Sequence, residues 1–161
     1  MAIIPIRTFP DPLLKQKSKR VRILDNSVRH LVGNMLETMH YAQGVGLAAP
    51  QIGVPLRVIV IGIPGEEEIV LINPKMVRHN GERLLNEGCL SIPGYVGMVK
   101  RSETVTVKGR NLNGKEIRVK ADGLLAQVLE HETDHINGIL YIDHLESRDK
   151  LREIEPEEYQ L

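Results

Sequence analysis

One short stretch of the chain, His131-Glu132-Thr133-Asp134-His135, carries residue types whose spacing suits metal chemistry. On a helix, four residues turn the chain by about 400°, so the two histidines stand about 40° apart, one turn apart on one face. Both imidazoles then reach a single ion. Glu132 projects at a different angle and is placed to handle a proton from water without being a ligand. Leu124 and Val128 continue the histidine face backwards, so the imidazoles are expected to point inward, where a metal would supply each with a partner.

A catalytic metal usually takes three protein ligands and keeps one position open. Three residues compete for the third place. In one protease class the motif continues through a glycine to a third histidine; Gly138 matches, but Tyr141 stands where that histidine should be. Glu155 has the spacing of a following glutamate ligand, which would make the chain a zinc peptidase, although it lies in a polar tail beside Pro156. Cys89 is the third candidate, within Asn86-Glu87-Gly88-Cys89-Leu90-Ser91. Gly88 before it and Ser91-Ile92-Pro93-Gly94 after it predict an irregular backbone that brings a thiolate against another element, and a metal favours the thiolate form. A non-catalytic domain with a structural metal is the remaining reading. It leaves Glu132 and Gln51 without a role.

These residues need elements to hold them. The spacing of Leu124, Leu125, Val128 and Leu129 predicts a helix from about 123 to 137, capped by Asp122 and stopped by Gly138. Val28, Leu31, Val32, Met35, Leu36 and Met39 predict another from about 27 to 42, with Ser27 as its cap and Gly44 beyond its end. Strands are expected at 57–63, 69–72, 83–86, 103–108 and 115–120, the last two joined by an Asn113-Gly114 turn. Between them lies Gly44–Gly53, whose small residues Gly44, Gly46, Ala48 and Ala49 let another backbone approach closely. It lacks the Gly-Lys-Ser/Thr ending of a phosphate loop. The first 25 residues, with Pro5, Pro10 and Pro12, are expected to be extended, and the tail from Ser147 helical until Pro156. The fold class is α+β: a single compact domain over 1–161, with mostly antiparallel strands packed around a central metal-binding helix.

Composition sets outer limits. With 161 residues, 42% hydrophobic and 26% charged, the chain has the length and balance of one folded domain. Lys plus Arg and Asp plus Glu number 21 each, giving no overall basic footprint of a specific nucleic-acid binder. The run of cations from Lys15 to Arg22 reads as a solvated stretch. A single Cys excludes an internal disulfide, and no apolar run reaches membrane-span length. The opening MAIIPIRTFPDP has no signal-peptide character, so a cytoplasmic location and no membrane partner are expected.

Three separated motifs together resemble the peptide deformylases: Gly44-Val45-Gly46-Leu47-Ala48-Ala49-Pro50-Gln51, Glu87-Gly88-Cys89-Leu90-Ser91 and Glu130-His131-Glu132-Thr133-Asp134-His135. The resemblance covers nearly the whole chain, although the family often has Gln where Glu130 stands. It implies that Cys89, His131 and His135 bind one divalent ion, most often Fe²⁺, with Zn²⁺, Ni²⁺ or Co²⁺ able to replace it. It implies removal of the N-formyl group from the first methionine of nascent polypeptides, with transient ribosome contact. Glu132 is then the general base and acid, and Gln51 and the Leu90 N–H steady the oxyanion. Gly44, Val45, Gly46, Gly88, Leu124 and Val128 are the expected substrate-binding residues, with Val45, Leu124 and Val128 around the methionine side chain.

Overall fold

The computed structural model describes residues 1–155. Its regular elements, in chain order, are α1 (Asn26–Tyr41), β1 (Gly46–Ala48), β2 (Val58–Ile61), β3 (Ile69–Asn80), β4 (Arg83–Cys89), β5 (Ile92–Arg101), β6 (Thr104–Arg110), β7 (Glu116–Asp122), α2 (Gly123–Ile136) and β8 (Arg152–Glu153). The α+β class holds, with antiparallel pairing throughout the strand ladders.

Five strands form one sheet in the order β1-β2-β3-β6-β7. Alternate side chains of β2 serve opposite faces. Val58 and Val60 pack with the apolar stripe of α1, whereas Ile59 and Ile61 join Leu71, Val105 and Val107 against α2. The sheet therefore lies between two helices, and α2 carries the metal motif across its inner face. The β4–β5 hairpin, extended by β8, forms a second sheet. It covers a third apolar cluster of Leu14, Cys89, Ile92, Val99, Leu140, Tyr141 and Ile142.

Several boundaries differ from expectation for local reasons. The cap of α1 is Asp25, not Ser27: its Oδ1 accepts from the N–H groups of Ser27 at 3.0 Å and Val28 at 3.3 Å. Asp122 does stand before α2, but its side chain makes no capping hydrogen bond. Residues 92–94 are not irregular; Ile92 opens β5, and Pro93 and Gly94 lie within it. Gly44–Gly53 contains strand β1 and a 3-10 turn over Ala49–Ile52. The tail forms a 3-10 turn at Arg148–Lys150 and then β8, not a helix, while Pro156 lies outside the described residues.

The far end of α2 is held from two sides. Arg57 donates to the Ile136 carbonyl at 3.0 Å and to Asn137 Oδ1 at 2.9 Å, satisfying groups that a helix end leaves open. Gly138 follows with φ +74°, and a Cβ there would lie 2.6 Å from the Lys15 carbonyl oxygen, so only glycine fits. The N-terminal segment is extended apart from a 3-10 turn at Pro12–Lys15. It is tied to the elements below by Arg7 N–H to Gln51 O (2.7 Å) and Phe9 N–H to Ser91 O (2.9 Å). Among the described residues, no helix is long and apolar enough to cross a membrane.

Candidate metal centre and active site

α2 presents His131, Glu132 and His135 to the interior, each at most 2% exposed. The fully buried Cys89 ends β4, where a register shift between Glu87 and Cys89 bends the strand and turns the sulfur toward the helix. Its Sγ lies 3.3 Å from His135 Nε2, which lies 3.1 Å from His131 Nε2. Tetrahedral ligation, with bonds near 2.05 Å to nitrogen and 2.3 Å to sulfur, places nitrogens about 3.3 Å apart and nitrogen about 3.6 Å from sulfur. Two of the three separations are therefore already close to what one ion requires, and all three donor atoms lie within 4.8 Å of one another. Glu155 is exposed and stands outside this group, so the sequence alternative of a glutamate third ligand is not favoured. Tyr141 stacks on His131 with ring centroids 6.5 Å apart and holds the ring from the side.

The electrostatics suit a cation. Burial disfavours a charged His131, yet Glu87 and Cys89 beside it hold its pKa well above the ordinary value. Burial, reinforced by His131, keeps His135 well below. The shifts are opposite: the charged form is favoured on His131, beside Glu87 and Cys89, and the neutral, metal-coordinating form on His135. His131 Nδ1 donates to Glu87 Oε2 at 2.7 Å, which leaves Nε2 for coordination. Glu87 is itself gripped by Arg101, through Nε at 2.9 Å and Nη2 at 2.5 Å, and by Gln127 at 3.2 Å. Burial alone would raise the Glu87 pKa, but the charge and hydrogen bonds of His131 and Arg101 hold it well below the carboxylate range. Arg101 reaches on to Asp134 at 2.8 Å.

Sequence reasoning gave Glu87 and Arg101 no role. The register sets Glu87 opposite Gly97 and Arg101 opposite Arg83, so the long Arg101 side chain must reach along the hairpin to meet Glu87, a contact no local pattern displays. The available signal was the acid two residues before Cys89.

Glu132 differs from Glu87. Both carboxylate oxygens are buried and accept no hydrogen bond among the described residues, and burial pushes the carboxyl up to about 7. Such a group needs a partner from outside the chain. Space for the carboxylate comes from Gly46: a Cβ there would lie 2.6 Å from Glu132 Oε2 and 2.8 Å from Val128 Cγ1.

Gln51 is also buried. Its Oε1 accepts from the Ala48 N–H at 2.9 Å, so its amide nitrogen is aimed at Ser91 Oγ (3.0 Å) and Cys89 Sγ (3.8 Å). Leu90 sits in the turn between Cys89 and Ile92, with its backbone N–H beside the sulfur-bearing residue. A cleft of about 960 Å³ is lined by Gly44, Val45, Leu90 and Leu124, among others; of the groups described above Leu90 reaches it, while Cys89, His131, His135, Glu132 and Gln51 lie behind its lining. Leu124 is 44% exposed there, whereas Val128 is fully buried in the core. Gly46, Gly88 and Val128 are absent from the cleft lining and lie buried.

A family model described as polypeptide deformylase matches residues 3–151. A peptide deformylase of Dehalococcoides mccartyi strain CBDB1 is 54% identical over 159 residues, spanning 98% of this chain and 95% of that one. The crystal structure of a peptide deformylase from Legionella pneumophila superposes with a TM-score of 0.89 at 47% identity, over 92% of this chain and 88% of that one. Another, from Synechococcus elongatus in complex with actinonin, gives 0.88 at 43% identity, over 91% and 81%.

Proposed function

Because this chain belongs to the peptide deformylase family, a metal-dependent group that removes the N-formyl group from nascent polypeptides, we propose how its own residues divide the work. Cys89, His131 and His135 hold one divalent ion. The observation that carries this reading is the buried, unpartnered carboxylate of Glu132 beside three converging donors. When bound, the ion supplies Lewis acidity, polarising the formyl carbonyl and lowering the pKa of water from 15.7 to about 7. Ferrous iron is the proposed working metal; a Cys-His₂ donor set accepts it as it accepts zinc, nickel or cobalt. The site of action is the cytoplasm, where chains that begin with formyl-methionine are made.

In this scheme the substrate N-terminus enters the cleft, with Val45 and Leu124 against the methionine side chain. Glu132 takes a proton from the attacking water on a carboxylate oxygen and delivers it to the departing amine. The Gln51 amide and the Leu90 N–H donate to the oxyanion that forms on the formyl group. Glu87 holds the Nδ1 proton of His131, keeping that ring in its coordinating tautomer.

The test uses protein purified without oxygen. It should release formate from a formyl-methionyl tripeptide and leave the acetyl analogue intact. Glu132→Ala should keep its metal while kcat falls roughly 10²–10⁴-fold; unchanged turnover rejects the acid–base role. Actinonin should raise the melting temperature of the metal-loaded protein, as expected of a ligand that binds only the folded state.

A further inference from the structure

Beyond the Gly138 stop of α2, the chain makes a short 3-10 turn over Tyr141–His144. A 3-10 helix has three residues per turn, so side chains three positions apart stand one above the other. Tyr141 and His144 therefore share a face. Tyr141, at the place where one protease class has a third histidine ligand, lies instead against the ring of His131. His144 Nε2 lies 2.8 Å from Asp134 Oδ2, and because a carboxylate oxygen only accepts, this ring nitrogen donates. One turn thus reaches the same metal ligand by two routes: directly at the ring face, and through a line of side chains at Nδ1.

The second route begins at Asp134, whose Oδ2 also accepts from Arg101 Nη1 at 2.8 Å. A guanidinium is planar with its donors in a fixed fork, so holding Nη1 sets the directions of Nε and Nη2. Both of those grip Glu87, and Glu87 Oε2 holds the Nδ1 proton of His131. The line runs from surface to interior: the His144 and Asp134 side chains are 36% and 21% exposed, Arg101 is 2% exposed and Glu87 not at all. Asp134 is the inner link that water reaches, and an exposed carboxylate is free to turn from its partner toward solvent. His144 occupies that approach from a fixed backbone. Leu140 N–H donates to Asp143 Oδ2 at 2.9 Å, Asp143 N–H donates to the Leu140 carbonyl at 2.9 Å, and Asp143 pairs with Lys15.

We propose that His144 is a positioning residue for the metal centre: it pins Asp134, Asp134 fixes the plane of Arg101, and that plane acts through Glu87 on the imidazole of His131. The proposal rests on Cys89, His131 and His135 holding an ion and is independent of the reaction that the ion serves. Its effect falls on how firmly the ion is kept. A group bonded directly to a metal ligand is worth about 10–100-fold in affinity, and a residue further out falls below that range, at about fivefold.

The test loads the full-length protein with Co²⁺, whose visible spectrum reports thiolate and imidazole ligation, and times its release to excess chelator at neutral pH. His144→Ala should release cobalt about fivefold faster than the parent. His144→Phe keeps a ring there but no donor and should match it, so the comparison stands even where the smaller residue costs folding. His144→Gln places an amide N–H close to the position of Nε2 and should restore the parental rate. Lys15→Ala loosens the same turn without touching Asp134 and should release as the parent does. In an Asp134→Ala background, changing His144 should add nothing, because the oxygen it holds is gone. Parental release by both His144→Ala and His144→Phe, equal acceleration by Lys15→Ala, no rescue by glutamine, or an undiminished His144 effect without Asp134 overturns the proposal. A parent that takes up no cobalt rejects the metal-centre reading and the proposal with it; full uptake with no His144 effect rejects the positioning role alone.

Discussion

Two glutamates near the metal donors have opposite surroundings, and their opposite roles follow from that. Glu87 is saturated by His131, Arg101 and Gln127, so it is built to stay charged and still. Glu132 accepts nothing from the described chain and can receive a proton. Removing the Glu87 carboxylate should therefore act on the metal rather than on the chemistry. For Glu87→Gln we expect metal affinity to drop about 10–100-fold in a chelator competition, with near-normal kcat once the site is saturated. Gly46 tests the other side. A methyl group there must displace the Glu132 carboxylate, and a displacement on the order of 1 Å costs roughly 10² in rate. Gly46→Ala should lower kcat far more than it changes KM, while metal content measured by mass spectrometry stays the same. Helical spacing made a shared inward face for His131 and His135, with Glu132 at another angle, legible in the sequence. The run around Cys89 misled, because Pro93 and Gly94 belong to β5 and a register shift between Glu87 and Cys89 places the sulfur. Arg101 was not legible, because a buried cation in a strand is explained only by the acid it meets across the hairpin.

At the scale of elements, legibility followed local chemistry. Both helices carry their signals within a few residues; the β6–β7 connection does too, although its turn spans Asn111–Gly114, where the Gly114 N–H donates to the Asn111 carbonyl, rather than closing on Asn113-Gly114 alone. β5 was hidden because Pro93 and Gly94, at its start, spell a turn to any local reading. β3 runs to Asn80, well beyond its apolar beginning, because its later residues face solvent and need no hydrophobicity. The cap of α1 went to Asp25 because a residue two positions before Ser27 is the one whose oxygen reaches the open N–H groups. Hydrogen bonds from Ser27, then Val28, lower the Asp25 pKa. A carboxyl lowered on folding stabilises the fold above its unfolded pKa, and that help is lost as pH falls through the lower, folded value. Asp25→Ala should thus melt below the parent at pH 7, and the gap measured by circular dichroism should close in acid, below the ordinary carboxylate range.

Across the whole molecule, the metal donors come from two layers: Cys89 from the hairpin sheet, and the histidines from the helix beneath the five-stranded sheet. An ion joining them crosslinks parts far apart in sequence, so chelation should lower the melting temperature as removal of a ligand of the folded state does. A protein melting identically with and without its metal would contradict that. The last described strand extends this logic. β8 pairs with Tyr95 and Val96, Ile154 N–H donates to the Gly94 carbonyl at 2.9 Å, and Leu151 packs on the cluster that encloses Cys89. Tyr141, the plate against His131, donates its hydroxyl to the carbonyl of that same Tyr95 at 3.3 Å. Residues 151–154 thus work like a buckle drawn over the back of the sulfur ligand. A chain cut after Lys150 should still fold around its two helices yet surrender its ion faster, so a two-residue strand remote from the helix motif sets how long the catalyst stays in service.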